Sequence, residues 1–427
     1  MANKLMIPCL YLHSGKAVTG FGQRNLFGNG EVEELARIYS DNGADELLVF
    51  DFSSGDAEHE RAIGKIKDIC DASEIPVMAA GNIKRMEDVK KLIYAGCAKT
   101  VLNFSKESNV ELLEELSKRF GKEKMVVSVS SIEEFTANKE LAETYASAVL
   151  ALDAIQDAIG EVSDIPVIVH TDLNKEAELM ELLKTQNVCA LSGDYVSSMK
   201  TELLGFKEKC KADGISVNTY ESEIAWSEFK LNSDGMIPVV VQDYKTDEVL
   251  MVAYMNEEAF QVTLKTGKMT YWSRSRNELW TKGLTSGHVQ YVKSLTLDCD
   301  NDTILAKVAQ IGAACHTGNK TCFFKPLMKQ EYDDTNPLRV FQDVYDVILD
   351  RKVNPKEGSY TNYLFDKGID KILKKVGEEC TEIVIAAKNP DKEEIKYEIS
   401  DFLYHVMVLM AEKGVTWEEI TRELARR

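Results

Sequence analysis

Three stretches of this 427-residue chain carry residue types and spacings able to do chemistry. In "LTLDCDNDTILAKV", Asp298, Asp300 and Asp302 alternate around Cys299. If residues 298–302 are extended, the three carboxylates project to one face and the thiol to the other. Oxygen clusters suit Mg2+ and thiolates suit Zn2+. The later stretch "AACHTGNKTCFF" adds Cys315 and Cys322. With Cys299 they could form a three-thiolate zinc site with an open fourth position, as catalytic zinc requires. His316 adjoins one of these thiols. The competing reading is a charged turn with incidental cysteines, because C-x6-C is not a common structural finger spacing.

Between the apolar runs, "YWSRSRNELWTKGLTSGHVQ" offers partners for a phosphorylated ligand. Arg274, Arg276 and Lys282 supply cations. Ser273, Ser275, Ser286 and Gly287 supply hydroxyl and backbone donors, and Trp272 or Trp280 an apolar wall. Standing alone, such a stretch also reads as an exposed basic strand. In the third stretch, Glu379 and Glu382 are three apart, as are Glu398 and Asp401. In a helix each pair shares a face. Two such helices packed face to face gather four carboxylates, which repel unless a cation lies between them. A solvated acidic face is the simpler alternative. Flanking Ile383, Val384, Ile399 and Phe402 argue against full exposure.

Elements must position these residues. Residues 1–213 alternate strand-like and helix-like runs: "LMIPCLYL", "ELLVFDF", "IPVMAAG", "TVLNFS", "MVVSVS", "AVLALD", "IPVIVHT" and "CALSGDYV". Eight strand–helix units imply a (β/α)8 TIM-like barrel, with an open doubly wound sheet as the alternative. Helix-like "VEELARIYSDNGA" and "MEDVKKLIYAGCA" each end near a stop glycine. Residues 226–330 read as a compact α+β, mainly β domain, opening with two strands joined by a Lys-Thr-Asp turn. "KQEYDDTNPL" reads as a linker. Residues 339–427 show three- and four-residue apolar spacing and read as all helical.

The net charge is −19, which disfavours nucleic-acid binding. It leaves room for a small phosphorylated ligand in a local basic or metal-lined pocket. Nine cysteines are an odd count that argues against a disulfide framework. No apolar run reaches the ~18 residues of a membrane span. The N-terminal run lacks a signal-peptide pattern. The expectation is a cytoplasmic protein without membrane or nucleic-acid partners.

"WSRSRNELWTKGLTSGHVQ", "DCDNDT" and "ACHTGNKTCFF", in that order, closely resemble the phosphoribosyl-AMP cyclohydrolase family of histidine biosynthesis. That family hydrolyses the N1–C6 bond of the adenine ring. The resemblance implies Zn2+ on Cys299, Cys315 and Cys322, and Mg2+ on Asp298, Asp300 and Asp302. It also implies a homodimer, with Cys299 from one subunit meeting the other two thiols of its partner. His316 or His288 could shuttle the proton to the departing nitrogen; for each, a structural histidine is the alternative. Arg274 and Lys282 would hold phosphate rather than act as base.

"PKEGSYTNYLFDKGIDKILKKVGEECTEIVIAAKN" with "EISDFLYHVMVLM" resembles phosphoribosyl-ATP pyrophosphatases of the all-α MazG type. Glu379, Glu382, Glu398 and Asp401 would then carry Mg2+. Glu378 or Glu379 would orient water, and Lys375 and Lys388 would meet phosphate oxygens unless they are plain surface lysines. The two reactions are consecutive, and their fusion is itself a known bifunctional arrangement. A general nucleotide pyrophosphatase, or a metal-dependent pathway scaffold using the barrel as a binding module, are the alternatives.

Residues 5–105 resemble the cyclase subunit of imidazole glycerol phosphate synthase, more weakly onward to 213. The departures are chemical. Tyr11 and Ser130 stand where that family has its acid/base Asp residues, and Ala80-Gly81-Asn82 replaces a Gly-Gly-Gly phosphate loop. Thr19 replaces a loop Lys. Asn103 is kept, but Phe104 replaces a small hydroxyl residue. A phenol of pKa ~10 cannot take over proton transfer from a carboxylate near neutral pH. The barrel is expected to have lost cyclase chemistry and to serve as scaffold, oligomerisation unit or ligand sensor.

Overall fold

The computed structural model describes residues 3–152, 162–333, 335–337, 339–390 and 392–425. The chain forms two compact units, 1–325 and 326–427. The division falls just before the expected linker run, of which Asp334 and Leu338 lie outside the described residues. The first unit holds both the barrel and the β-rich segment.

The barrel strands are Leu5–Ile7 with Cys9–His13, Leu47–Asp51, Val77–Ala80, Lys99–Asn103, Met125–Val129, Ala148–Leu152, Val167–Thr171 and Val188–Gly193. Neighbours pair in parallel throughout. The first strand is interrupted only at Pro8, which has no N–H for the ladder. Its first part pairs with Val188–Gly193 and its second with Leu47–Asp51, so the sheet closes on itself. Closure rules out the open doubly wound alternative. Asp153, the last residue of one expected strand, lies outside the described residues. A short antiparallel strand, Lys16–Val18, was not expected from the sequence; it folds back on the first strand through Ser14 and Gly15, both at positive φ.

The strands are buried on both faces, as a helix-wrapped parallel sheet requires. One set of side chains fills the interior, among them Ile7, Leu48, Met78, Val101, Val126, Leu150 and Ile168. The alternate set packs outward against helices such as Val32–Asp41 and Asp56–Ala72. The stop glycines expected after two helices, Gly43 and Gly96, sit at φ +84° and +105°.

The β-rich segment forms a four-stranded sheet in the order Val249–Met255, Ile237–Asp243, Ile304–Gln310, Gln290–Leu297. The strand Gln290–Leu297 is its edge. A helix, Glu257–Thr266, is capped by the Asn256 side chain and stopped by left-handed Gly267. A separate hairpin pairs Thr270–Ser273 with Glu278–Thr281.

The second unit consists, among the described residues, of helices Val340–Val353, Tyr360–Lys367, Ile369–Ala386, Lys392–Lys413 and Trp417–Ala425. Gly368, at φ +77°, separates the helices Tyr360–Lys367 and Ile369–Ala386. Tyr345, Ile348, Leu364, Ile372, Met407 and Val408 form its core. No helix among the described residues is long and apolar enough to cross a membrane.

Candidate active sites

The aspartate group does not form as expected. Residues 298–302 are a turn, not an extended strand. Asn301 takes φ +64°, and one Asp298 oxygen accepts the N–H groups of Asp302 and Thr303 at 3.0 and 3.1 Å. The turn curls the chain so that oxygens of Asp298, Asp300 and Asp302 lie within 4.8 Å of one another, all exposed. Convergence therefore comes from turn curvature rather than strand alternation. Desolvation would raise the Asp298 carboxyl, but the N–H groups of Thr303 and Asp302 hold it below the usual range.

Cys315 and Cys322 are neighbours. Cys315 N–H bonds to Asn319 O, and Cys322 N–H to Leu250 O, which ties this loop to the strand Val249–Met255. The Thr317 hydroxyl lies 3.0 Å from the Cys315 sulfur and, with the Thr317 backbone, lowers that thiol's pKa. Burial, then the proximity of Cys315, raises that of Cys322. Lys282 is buried beside both sulfurs and donates to Ala314 O at 2.6 Å. Lys282, expected to hold phosphate, thus faces the two thiols. Among the described residues Cys299 joins no cluster with the other two cysteines, and it is exposed.

His316 is exposed, its Nδ1 4.0 Å from the Cys315 sulfur. The His288 ring lies against Gly312, where an added Cβ would meet it at 2.6 Å. Arg274 lies over the Tyr254 ring at 4.0 Å, and Arg276 bonds to Ser273 and pairs with Glu278. Both arginines, with Ser275, are exposed at the hairpin tip; Trp272 is half-buried. The wall that cations face is Trp280, with Arg276 and Lys282 over its ring. Ser286 accepts the His288 N–H, and Gly287, at φ +76°, completes that loop.

In the helical unit, oxygens of Glu379, Glu382 and Glu398 lie within 4.8 Å of one another. Asp401, expected as a fourth member, lies outside this group and is exposed. Nor do the flanking apolar residues enclose the cluster: Val384 and Ile399 are exposed. The charge of Glu379, followed by desolvation and the charge of Glu398, raises the Glu382 pKa. Such crowding suits a cation. Lys375 pairs with both Glu378 and Glu379, whereas Lys388 is exposed on the final turn.

Sequence reasoning missed His405. It is buried; its Nδ1 lies 2.8 Å from Asp401 O and 3.7 Å from a Glu379 oxygen, and its Nε2 3.1 Å from the Tyr360 hydroxyl. The signal was present, since Glu398, Asp401 and His405 follow i, i+3, i+7 spacing.

At the barrel mouth, Tyr11 bonds to His170 at 3.0 Å. Phe21, Phe50 and Phe52 pack around the Tyr11 ring with centroids 4.9–6.1 Å away. Aromatic rings surround Tyr11 where one acid/base carboxylate would stand, and Ser130 occupies the other position.

Residues 251–324 match the phosphoribosyl-AMP cyclohydrolase family, and residues 341–427 match the phosphoribosyl-ATP pyrophosphohydrolase family. A histidine biosynthesis bifunctional protein HisIE of Thermoanaerobacter pseudethanolicus is 53% identical over 209 residues, 97% of its length and 46% of this chain. This chain belongs to the HisIE family. The HisIE proteins of Lactococcus lactis and Bacillus subtilis are 52% and 46% identical, over 88% and 95% of their lengths. HisIE relatives thus account for under half of this chain, 45% and 47% in those two. Residues 5–184 match a separate histidine biosynthesis protein family. The HisIE portion is a bifunctional hydrolase of histidine biosynthesis, with cyclohydrolase and pyrophosphohydrolase segments in that chain order.

Proposed function

We propose that the helical unit first releases pyrophosphate from phosphoribosyl-ATP, and that the β-rich segment then opens the adenine ring of the phosphoribosyl-AMP produced. The observation that carries this reading is the convergence of two separate carboxylate groups, one in each matched segment. Glu379, Glu382 and Glu398 fit Mg2+ by their oxygen chemistry, as do Asp298, Asp300 and Asp302. Cys315 and Cys322 fit Zn2+, with Cys299 of the partner subunit as third thiolate in a homodimer. When bound, zinc brings the pKa of its water toward ~7 and magnesium offsets phosphate charge.

The chain's own groups do the rest. Lys375 holds Glu379 and Glu378 in register along one helix face, and Glu378 orients the attacking water. His405, held by the Asp401 carbonyl at 2.8 Å, packs as a buried neighbour 3.7 Å from the Glu379 carboxylate. In the cyclohydrolase segment, Arg274 and Arg276 at the open hairpin tip bind phosphate, and Trp280 offers a flat apolar surface. Water adds across N1–C6: its oxygen bonds to C6, the C6–N1 bond breaks, and a proton reaches N1. Exposed His316, beside the thiols, delivers that proton. His288, packed on Gly312, shapes the loop. Lys282 compensates the thiolate charge from a buried position.

The barrel has lost cyclase chemistry, because Tyr11 is engaged with His170 inside an aromatic cluster. The odd count of nine cysteines suits a cytoplasmic location. The test follows phosphoribosyl-ATP turnover by product. Cys315→Ala should stop the sequence at phosphoribosyl-AMP, and Glu382→Ala should block pyrophosphate release while sparing ring opening of supplied phosphoribosyl-AMP. Loss of both steps in both folded variants would refute separate sites. Competition by ordinary nucleoside triphosphates for pyrophosphate release would instead favour a general nucleotide pyrophosphatase.

A further inference from the structure

One contact between the barrel and the cyclohydrolase segment runs through an edge strand. Lys293, on the edge strand Gln290–Leu297, lies 2.7 Å from both Asp41 and Glu74 of the barrel. Its Nζ also lies over the Tyr244 ring at 5.2 Å, and the Tyr244 hydroxyl donates to Glu74. Asp41 ends the helix before the barrel strand Leu47–Asp51, and Glu74 lies in the turn before Val77–Ala80. The contact is therefore at the N-terminal ends of the barrel strands, opposite the aromatic mouth. That end of a barrel supports stability, not catalysis. Nearby, Lys268 pairs with Glu202 at 2.8 Å, and Gly267 packs against Leu204 and Tyr220.

Lys293 is also the odd residue in its strand. Val292 pairs with Val308 and Ser294 with Lys307, which leaves Lys293 unmatched in a β-bulge. A bulge re-aims one side chain and resets the alternation of those that follow. Here it points Lys293 at the barrel and sets the phase of the stretch that ends at Asp298. The Asp298–Asp302 turn begins five residues on.

We propose that the barrel is a clamp for the cyclohydrolase ligand turn, and that Lys293 is its positioning residue. Asp41 and Glu74 hold the bulge, and the bulge fixes the strand that delivers Asp298, Asp300 and Asp302. Lys293 and Asp41 are 19% and 12% exposed, so water screens this pair less than an open surface pair. Without the cation, the two barrel carboxylates Asp41 and Glu74 would be left side by side and uncompensated at the junction. The inference rests on reading the three aspartates as Mg2+ ligands.

The test uses the full chain. Lys293→Met should speed amide hydrogen exchange in residues 294–303 and raise several-fold the Mg2+ concentration that half-saturates ring opening. Pyrophosphate release should not change, and Lys293→Arg should restore both readouts. Unchanged exchange, or faster exchange without a shift in the Mg2+ midpoint, would overturn the clamp. So would an equal loss of both activities, which signals general unfolding. Asp300→Asn separates the two ideas. If it leaves the Mg2+ dependence intact, the metal reading is wrong; if it abolishes that dependence while Lys293→Met does nothing, only the clamp is wrong.

Discussion

Thr317 lies two residues after Cys315, and its hydroxyl is 3.0 Å from the sulfur that carries the lowered pKa. A group that orients a metal ligand typically contributes 10–100-fold to metal affinity. Thr317→Val should therefore weaken zinc binding about tenfold, read by competition with a chelating dye. His405 does comparable work in the helical unit. His405→Ala removes the buried neighbour of Glu379 and should lower kcat for pyrophosphate release with little change in ring opening. Tyr360→Phe removes only the outer hydrogen bond and should cost less. A larger loss from Tyr360→Phe would place the phenol, not the imidazole, at the reaction. The candidate ligands were singled out in the sequence because the carboxylates and thiols fall inside the stretches that resemble the two hydrolase families. Thr317 and His405 were passed over, although His405 shares a helix face with Glu398 and Asp401, since a loop hydroxyl or a helix imidazole has many ordinary uses.

At the level of elements, the eight barrel strands and the helical unit could be read from apolar runs and periodicity. Local backbone decided the rest. The run 298–302 read as a strand because alternate acidic residues mimic period two. Asp298 instead accepts two backbone N–H groups, and Asn301 enters the left-handed region, which closes the turn. A β-branched residue there is strained by about 1–2 kcal/mol. Asn301→Val should thus open the turn and raise the Mg2+ requirement of ring opening, whereas Asn301→Gly should leave it near the parent value. Equal behaviour of the two variants, measured by Mg2+ titration of ring opening, would show that the turn's conformation does not govern the site. The break between helices Tyr360–Lys367 and Ile369–Ala386 has the same origin: Gly368 adopts positive φ, which no periodicity reports.

For the whole molecule, the sequence spoke about each segment but not about how the barrel meets the sheet. Lys293 and Asp41 are 252 residues apart, and each looks like an ordinary surface charge. On assembly, only the family resemblance spoke, by implying a homodimer. Among the described residues Cys315 and Cys322 are together while Cys299 joins no cluster with them, and in the proposed homodimer the third thiolate comes from a second copy. A two-fold arrangement makes each site from the same two surfaces. Full-length Cys299→Ala and Cys315→Ala should each be inactive in ring opening, yet a mixture of the two should regain activity. In a mixed dimer one site combines both substitutions and is dead, and the other receives intact Cys299, Cys315 and Cys322. With random exchange half the dimers are mixed, so the mixture should recover about a quarter of the parent rate. Recovery should need subunit exchange, so it should grow with incubation time. Pyrophosphate release should remain constant in both variants and in the mixture, because none of its carboxylates is changed. If the mixture stays inactive after demonstrated exchange, Cys299 meets the other two thiols within one chain or serves no metal, and the shared site is wrong.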